Sequence, residues 1–317
     1  MTNRYFNKNL ELIIYTTGYH EEGESILILI KSDNITVFSI VIDSYEENDI
    51  NITYQLLQEE KIDYIDIVCW SHPDLDHSKG ISKFLEWIDY RTTIVIGDGF
   101  YETKKEWETA SPEMYNYIVS TLEKDLRIKK RTKIRKVSTG MRLKSGLFVD
   151  ARTGIEHEFE ISAFAPSDFE NLQRNIKNMP LKKNNISVGL VIKLSKIVGV
   201  FSADIPNVVF NELTEEDFPK LVDYIKIPHH GSESSGKILR LFSNQPKVAC
   251  TTVNVANNLP TLNIINQYKT RVENLYCTND LRAKEQQDFW GLLKTTFHID
   301  IQTDIKNEVY GNAKLIL

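Results

Sequence analysis

Cysteine is scarce in this chain: three among 317 residues, Cys69, Cys250 and Cys277, each inside an apolar run. That excludes a disulfide framework and a cysteine-built zinc site, and leaves three small buried side chains. Long hydrophobic runs are missing as well. No stretch of about 18 apolar residues occurs, so no membrane-spanning helix is expected. The opening residues, Met1 to Asn9, lack the apolar centre of a secretory signal, so a cytoplasmic protein is expected. Positive charge is not in excess either: 38 Lys and Arg stand against 44 Asp and Glu, a net charge of −6. A broad basic surface that grips duplex DNA by charge alone is therefore excluded, although a local basic groove is not. No Pro/Gly/Ser-rich linker, short-period repeat or low-complexity tract divides the chain. One domain spanning 1–317 is expected. The 41% hydrophobic and 26% charged content is that of an ordinary globular protein, which excludes wholesale disorder.

What is present is strands alternating with helices. Short β-branched runs predict strands over 10–16, 25–30 and 36–43. Helical spacing covers 46–61. Residues 64–70 are almost continuously apolar, as a strand covered on both faces should be. A helix over 78–88, a strand over 92–97 and a helix over 102–126 follow. In the second half, strands are expected over 158–165, 187–194, 197–203, 224–228, 247–253, 274–277, 297–303 and 313–317, with helices over 260–268 and 286–296. Two sheets packed face to face with helices outside fit this order better than one parallel sheet. The segment 127–136 holds seven Lys or Arg in ten positions. It reads as a solvated edge strand or loop, or else as a contact for a phosphate-bearing substrate.

Histidine placement carries the chemistry. Four of seven histidines fall in two tight clusters, each just past an apolar strand. The first is Ser71-His72-Pro73-Asp74-Leu75-Asp76-His77-Ser78. Pro73 and the polar residues break the strand, so the cluster lies on a loop. Imidazole and carboxylate suit Zn²⁺, Mn²⁺ or Fe. The loop can turn His72 and Asp74 toward one metal, and Asp76 and His77 toward another. Packed this closely, such groups repel and desolvate badly without a cation. Asp76 or Ser78 can also cap the following helix. The second cluster is Ile227-Pro228-His229-His230-Gly231-Ser232. Between them, Ser202-Ala203-Asp204 ends a strand. Asp204 reads either as the cap of a helix opening at Pro206 or as a carboxylate bridging two metals.

This pattern resembles the metallo-β-lactamase fold superfamily of metal-dependent hydrolases, an αββα sandwich of two mixed sheets with helices on both outer faces. The usual first motif, His-x-His-x-Asp-His, reads here His72-x-Asp74-x-Asp76-His77. That variant and the Pro-His-His-Gly-Ser segment look most like the hydrolase domain of DNA-uptake competence proteins. Ile42-Asp43, Ala165-Pro166, Asn185 to Leu190 and Ser202-Ala203-Asp204 resemble further blocks of the family, so the resemblance runs over roughly 10–317. It implies two divalent metal ions, zinc or manganese with magnesium admissible. His72 and Asp74 would hold one, and Asp76 and His77 the other, with Asp204 bridging. His230 matches the family's last histidine; His229 is a ligand, a supporting partner or a proton donor. Many relatives supply another histidine before the bridging aspartate. Here only His157 falls in that interval, ahead of its strand, while Asn184 and Asn185 lie near the expected place.

The resemblance implies a phosphodiesterase or nuclease that uses a water activated by two metals. Asp76 or Asp204 would take the water's proton, and His229 would protonate the leaving alkoxide. Ser232, Ser234 and Ser235 would hydrogen-bond a phosphate, or simply cap a helix. The substrate class would be nucleic acid or another phosphodiester. Two alternatives stand beside it. One is a hydrolase of small molecules such as a cyclic nucleotide or a phosphocholine-type ester, which the negative net charge suits. The other is an effector subunit of a bacterial defence system, switched on by a protein partner encoded nearby.

Overall fold

The computed structural model describes residues 2–6, 9–19, 22–123, 131–167, 182–278, 290–299, 305–310 and 314–315. Its described strands form two mixed sheets. The eight-stranded sheet runs Ile305–Tyr310, Trp290–His298, Leu10–Tyr19, Glu22–Ser32, Ile35–Ile42, Ile67–Trp70, Thr93–Gly97, Lys133–Val137. The nine-stranded sheet runs Thr2–Phe6, Arg142–Asp150, Glu156–Ala165, Gly189–Leu194, Ile197–Phe201, Tyr224–Lys226, Val248–Thr251, Asn274–Cys277, Lys314–Leu315. In each, a run of antiparallel pairs gives way to a run of parallel ones, apart from the two edge pairs of the nine-stranded sheet. The change comes at Ile35–Ile42 in the first sheet and at Ile197–Phe201 in the second.

Period-two alternation sorts the side chains between layers. Leu10, Leu12, Ile14, Ile26, Ile28, Ile40 and Ile42 face the other sheet, where they meet Ile161, Leu190, Ile192 and Phe201. Ile13, Tyr15, Leu27, Leu29 and Val41 point the opposite way, onto helices Ile52–Glu59, Lys104–Ala110 and Pro112–Glu123. The far face of the nine-stranded sheet is covered by Asn207–Phe210, the 3₁₀ segment Glu233–Arg240 and helix Leu262–Lys269. Apolar residues on both faces of each strand explain the unbroken apolar runs in the sequence. The result is the αββα sandwich.

Some local expectations give way. Residues 290–296, expected to be helical, belong to strand Trp290–His298; residues 286–289 lie outside the described part. Leu293, Thr295 and Phe297 are buried, and of the strand's two partners Leu10–Tyr19 lies at the other end of the sequence. Local spacing carries no trace of so distant a partner. The helix expected over 78–88 is a short helix Leu75–Ser78 followed by a 3₁₀ segment Ile81–Trp87. The cap of that 3₁₀ segment is Gly80, so neither Asp76 nor Ser78 caps it. Pro206, not Asp204, precedes helix Asn207–Phe210 as its cap. Of the basic stretch, residues 127–130 lie outside the described part. Lys133–Val137 is an edge strand, whose charges discourage further strand pairing. Among the described residues, no helix is long and apolar enough to cross a membrane. All three cysteines are buried, and none forms a disulfide.

Candidate metal centre

The residues singled out in the sequence lie just beyond parallel strands, joined by others from neighbouring strand ends. Asp43 follows Ile35–Ile42; the 71–78 loop follows Ile67–Trp70; Asp204 follows Ile197–Phe201; His229 and His230 follow Tyr224–Lys226; Thr252 and Asn254 follow Val248–Thr251. In open parallel sheets the carboxyl ends of strands are where ligands collect. The 71–78 loop is clamped at both ends. The Trp70 indole donates to Ser78 Oγ at 2.8 Å, and the Ser44 amide donates to the His77 carbonyl at 3.0 Å. The His229 amide donates to the Ala203 carbonyl at 2.8 Å, which joins the second histidine cluster to the Asp204 loop. His229 and His230 both have φ of +47°, and Gly231 has φ of +76°. A Cβ on Gly231 would sit 2.6 Å from Pro260 Cβ, so this turn needs glycine.

Asp204 is the hub. Its Oδ2 lies 3.9 Å from His72 Nε2 and 3.7 Å from His229 Nε2. Its Oδ1 lies 3.2 Å from His77 Nε2 and 3.7 Å from His230 Nε2. Asp74 Oδ2 joins the first group, 3.4 Å from His72 Nε2. Asp76 Oδ2 joins the second, 3.2 Å from His230 Nε2. The six other residues singled out in the sequence therefore sit around the Asp204 carboxylate, divided between its two oxygens.

The hydrogen bonds behind the rings decide which nitrogens are bare. Asp43 accepts from the Ser71 amide at 2.7 Å, from Ser71 Oγ at 2.6 Å and from His77 Nδ1 at 2.9 Å. A carboxylate only accepts, so His77 Nδ1 carries the proton. Ser71 spends its one proton on Asp43, so it accepts from His72 Nδ1 at 2.9 Å. His230 Nδ1 meets Thr252 Oγ1 at 2.8 Å, and that hydroxyl donates to Glu24 Oε2 at 2.9 Å. His230 Nδ1 therefore donates too. His229 Nδ1 faces Ser234 Oγ at 3.1 Å, and its Nε2 faces the Asn184 amide nitrogen at 3.4 Å. All four rings turn Nε2 toward Asp204; the Nδ1 protons of His72, His77 and His230 are held by their acceptors, and the Nε2 atoms of His77 and His230 stand 3.2 Å apart.

Lone pairs and carboxylates converging this closely call for a cation. The charge states agree. Burial alone would raise the Asp204 carboxyl, but the imidazoles of His77, His230 and His72 outweigh it and hold Asp204 well below the ordinary range. Asp76 is held down at about 2: burial opposes, and His77 and His230 prevail. Asp74 is lowered as well, against burial, by His72 and by Lys183, whose Nζ lies 2.9 Å from Asp74 Oδ1. Burial would lower His77, yet Asp204 and Asp76 push it well above the usual imidazole value. A proton and a metal thus compete for His77 Nε2. Burial leads the causes that lower His229. His72 Nε2 and Asp204 Oδ1 are buried and make no hydrogen bond. Donor atoms of His72, Asp74 and Asp204 lie within 4.8 Å of one another, as do those of Glu24, His77, Asp204 and His230. Together these residues could hold metal ions.

A scan against protein-family models finds no match, and a search of curated proteins finds none. Solved structures do resemble the chain. A Parabacteroides distasonis protein designated a metal-dependent hydrolase shares 12% identity at a TM-score of 0.42, over 83% of this chain and 98% of its own. CmlA, a diiron β-hydroxylase from Streptomyces venezuelae, shares 12% identity at 0.40, over 82% of this chain and 47% of its own. Zinc-bound PqqB from Methylobacterium extorquens shares 9% identity at 0.37, over 83% of this chain and 86% of its own. The chemistry of the centre is read from its own geometry.

Several members of the centre escape sequence reasoning. Asp43 shows only as a strand end, yet it orients two histidines. Glu24, Lys226 and Thr252 sit behind His230, and Asn254 Nδ2 donates to Asp76 Oδ2 at 3.0 Å. A charged Glu24 at the head of the run Ser25 to Ile30 was the one available signal. His157 lies in strand Glu156–Ala165 and joins no donor cluster among the described residues. His298 pairs with Glu11 instead, at 3.0 Å, and His20 is outside the described residues. Of the three serines, Ser232 caps Glu233–Arg240, its Oγ accepting from the Ser234 amide at 3.3 Å, while Ser235 Oγ donates to the Ser232 carbonyl at 2.6 Å.

Proposed function

We propose that the protein is a metal-dependent phosphodiesterase acting on nucleic acid. The observation that carries the metal dependence is the convergence of four imidazole Nε2 atoms on the two oxygens of Asp204. His72, Asp74, Asp204 and His229 would hold one divalent ion, with His229 standing in for the histidine that the first motif's relatives supply elsewhere. Asp76, His77, His230 and Asp204 would hold the other. Imidazole with carboxylate suits zinc or manganese, and the three aspartates keep magnesium admissible. Two such ions lower the pKa of water and neutralise charge developing on phosphorus.

The chain's own residues supply the rest. Asp76 Oδ2 accepts from Asn254 Nδ2 at 3.0 Å, which fixes the carboxylate to orient a water. His229, partly exposed at the mouth, is the one imidazole of the four within reach of a leaving group. Lys183, on Asp74 and 42% exposed, offers a cation to a phosphate oxygen.

The preference for a polymer rests on a groove of about 660 Å³ between Glu233–Arg240 and Leu262–Lys269. It does not contain the metal centre, but it starts at Asn207 and Glu233, three and two residues beyond Asp204 and Gly231. Lys237 Nζ and an Arg240 guanidinium nitrogen both lie 2.7 Å from the single neutral oxygen Asn211 Oδ1. Neither has an ion-pair partner among the described residues. Two cations sharing one neutral acceptor suit the phosphate of a strand leaving the centre.

The test is a substrate panel under Mn²⁺ and Zn²⁺: single- and double-stranded DNA and RNA, cyclic nucleotides and bis-p-nitrophenyl phosphate. Cleavage of strands that vanishes in Asp204→Asn supports the reading. Cleavage of cyclic nucleotides alone moves it to a small-molecule hydrolase. Activity that arises only with a co-purified partner moves it to a switched effector. Inertness with two metals bound refutes it.

A further inference from the structure

Glu24 and Lys226 are both buried, 1% and 0% exposed at the side chain, and paired at 2.5 Å. Two charges taken out of water need a reason, since a buried pair is rarely worth more to stability than apolar residues of the same size. Their surroundings supply one. Lys226 Nζ also donates to the Ile227 carbonyl at 2.9 Å, one residue before Pro228 and the histidines. Glu24 Oε2, gripped by Lys226, accepts from Thr252 Oγ1 at 2.9 Å. The threonine hydroxyl in turn has its lone pair on His230 Nδ1 at 2.8 Å.

We propose that Glu24 and Thr252, anchored by Lys226, are positioning residues that fix the tautomer and ring orientation of His230 for the second metal. The proposal rests on the metal reading above. Its logic is directional. Glu24 can only accept from Thr252, Thr252 has one proton to give, and so its oxygen can only accept from His230. Nδ1 then keeps its proton, and the lone pair is confined to Nε2, on the side of Asp76 and Asp204. The Lys226 ammonium paired with Glu24 Oε2 keeps that carboxylate an acceptor. Asp43 does the same for His77 directly. Glu24 needs the hydroxyl as a spacer because its Oε2 is 3.9 Å from His230 Nδ1. Partners behind a ligating histidine typically shift metal affinity 10- to 100-fold.

Glu24→Gln leaves Lys226 buried without a counter-charge and endangers folding, so the decisive variants are Thr252→Val, which keeps the shape, and Thr252→Ser, which keeps the hydroxyl. Metal-free protein is titrated with Zn²⁺ against a chromophoric chelator, and the apo histidine tautomers are read by ¹⁵N NMR. Wild type should bind two ions with His230 as the Nδ1–H tautomer. Thr252→Val should bind one ion as tightly and the second about 10- to 100-fold more weakly, with a mixed His230 tautomer. Thr252→Ser should return to within about threefold of wild type, inside the scatter expected for a kept hydrogen bond. Two ions held equally by Thr252→Val, or equal weakness of Thr252→Ser, overturns this role and leaves the metal centre standing. A wild type that takes up no ion overturns both.

Discussion

Replacing Asp43 by asparagine changes one atom, and the structure fixes the consequences. The buried carboxylate has three donors on two oxygens: the Ser71 amide on Oδ1, and Ser71 Oγ with His77 Nδ1 on Oδ2. The asparagine can lie two ways. With its NH₂ at the Oδ1 place, it faces the Ser71 amide, and two buried donors collide. That leaves a donor unsatisfied at a cost of about 1–3 kcal/mol in folding. With its NH₂ at the Oδ2 place, it donates to Ser71 Oγ or to His77 Nδ1. A hydroxyl so turned donates to His72 Nδ1, and an imidazole so turned keeps its proton on Nε2. Either way a proton moves toward Asp204, into the place where a lone pair must meet a metal. Each disturbed histidine should lose about 10- to 100-fold in affinity, or about 1.4–2.7 kcal/mol. The two costs cannot both be avoided. Chelator-competition titration with Zn²⁺ and chemical denaturation of the metal-free protein measure them separately. An Asp43→Asn protein with wild-type affinity at both sites and wild-type stability would show that Asp43 does not set the tautomers, and the reasoning would fail.

Three further outcomes are expected. Gly231→Ala must hold a Cβ 2.6 Å from Pro260 Cβ at a φ of +76°, so the His230 turn should shift and the second metal weaken, visible as a drop from two bound ions toward one by elemental analysis; unchanged stoichiometry with an unmoved turn refutes it. Lys237→Ala with Arg240→Ala should raise KM for an oligonucleotide but not for bis-p-nitrophenyl phosphate, and should flatten the salt dependence of single-strand binding by about 0.7 in log–log slope for each phosphate no longer neutralised; an unchanged slope would show that the groove does not hold the strand. The Lys31–Glu60 pair should make stability acid-sensitive: burial opposes, but Lys31 and Tyr15 hold the Glu60 carboxyl below its usual 4.5. A depressed folded-state value means the contribution is full above about 4.5, the unfolded value, and is lost as pH falls through the folded one. Denaturation midpoints of wild type and Glu60→Gln should therefore converge on acidification; parallel curves would refute it.

The layered architecture is legible in the sequence because burial on two faces leaves a local mark. The runs Leu10 to Ile14 and Ile26 to Ile30 are apolar at every alternate position and nearly so between, which only a strand between two layers requires. The ligand candidates are legible for a related reason: His72, Asp74, Asp76 and His77 are crowded within six positions, a density that an unliganded loop would not sustain. What stays hidden depends on partners far along the chain. Trp290–His298 is a strand because Leu10–Tyr19 lies beside it, and its own residues suit a helix as well. The same holds for the residues behind the histidines. Asp43 acts on His77 across 34 positions, and Thr252 reaches Glu24 across 228. Chain folding alone creates those contacts. The parallel halves of the two sheets end on one edge, so residues from five strand ends meet there. The ligands cluster in sequence and can be read; the groups that aim them cluster only in space. A sequence reading therefore finds the candidate ligands before it finds the residues that orient them.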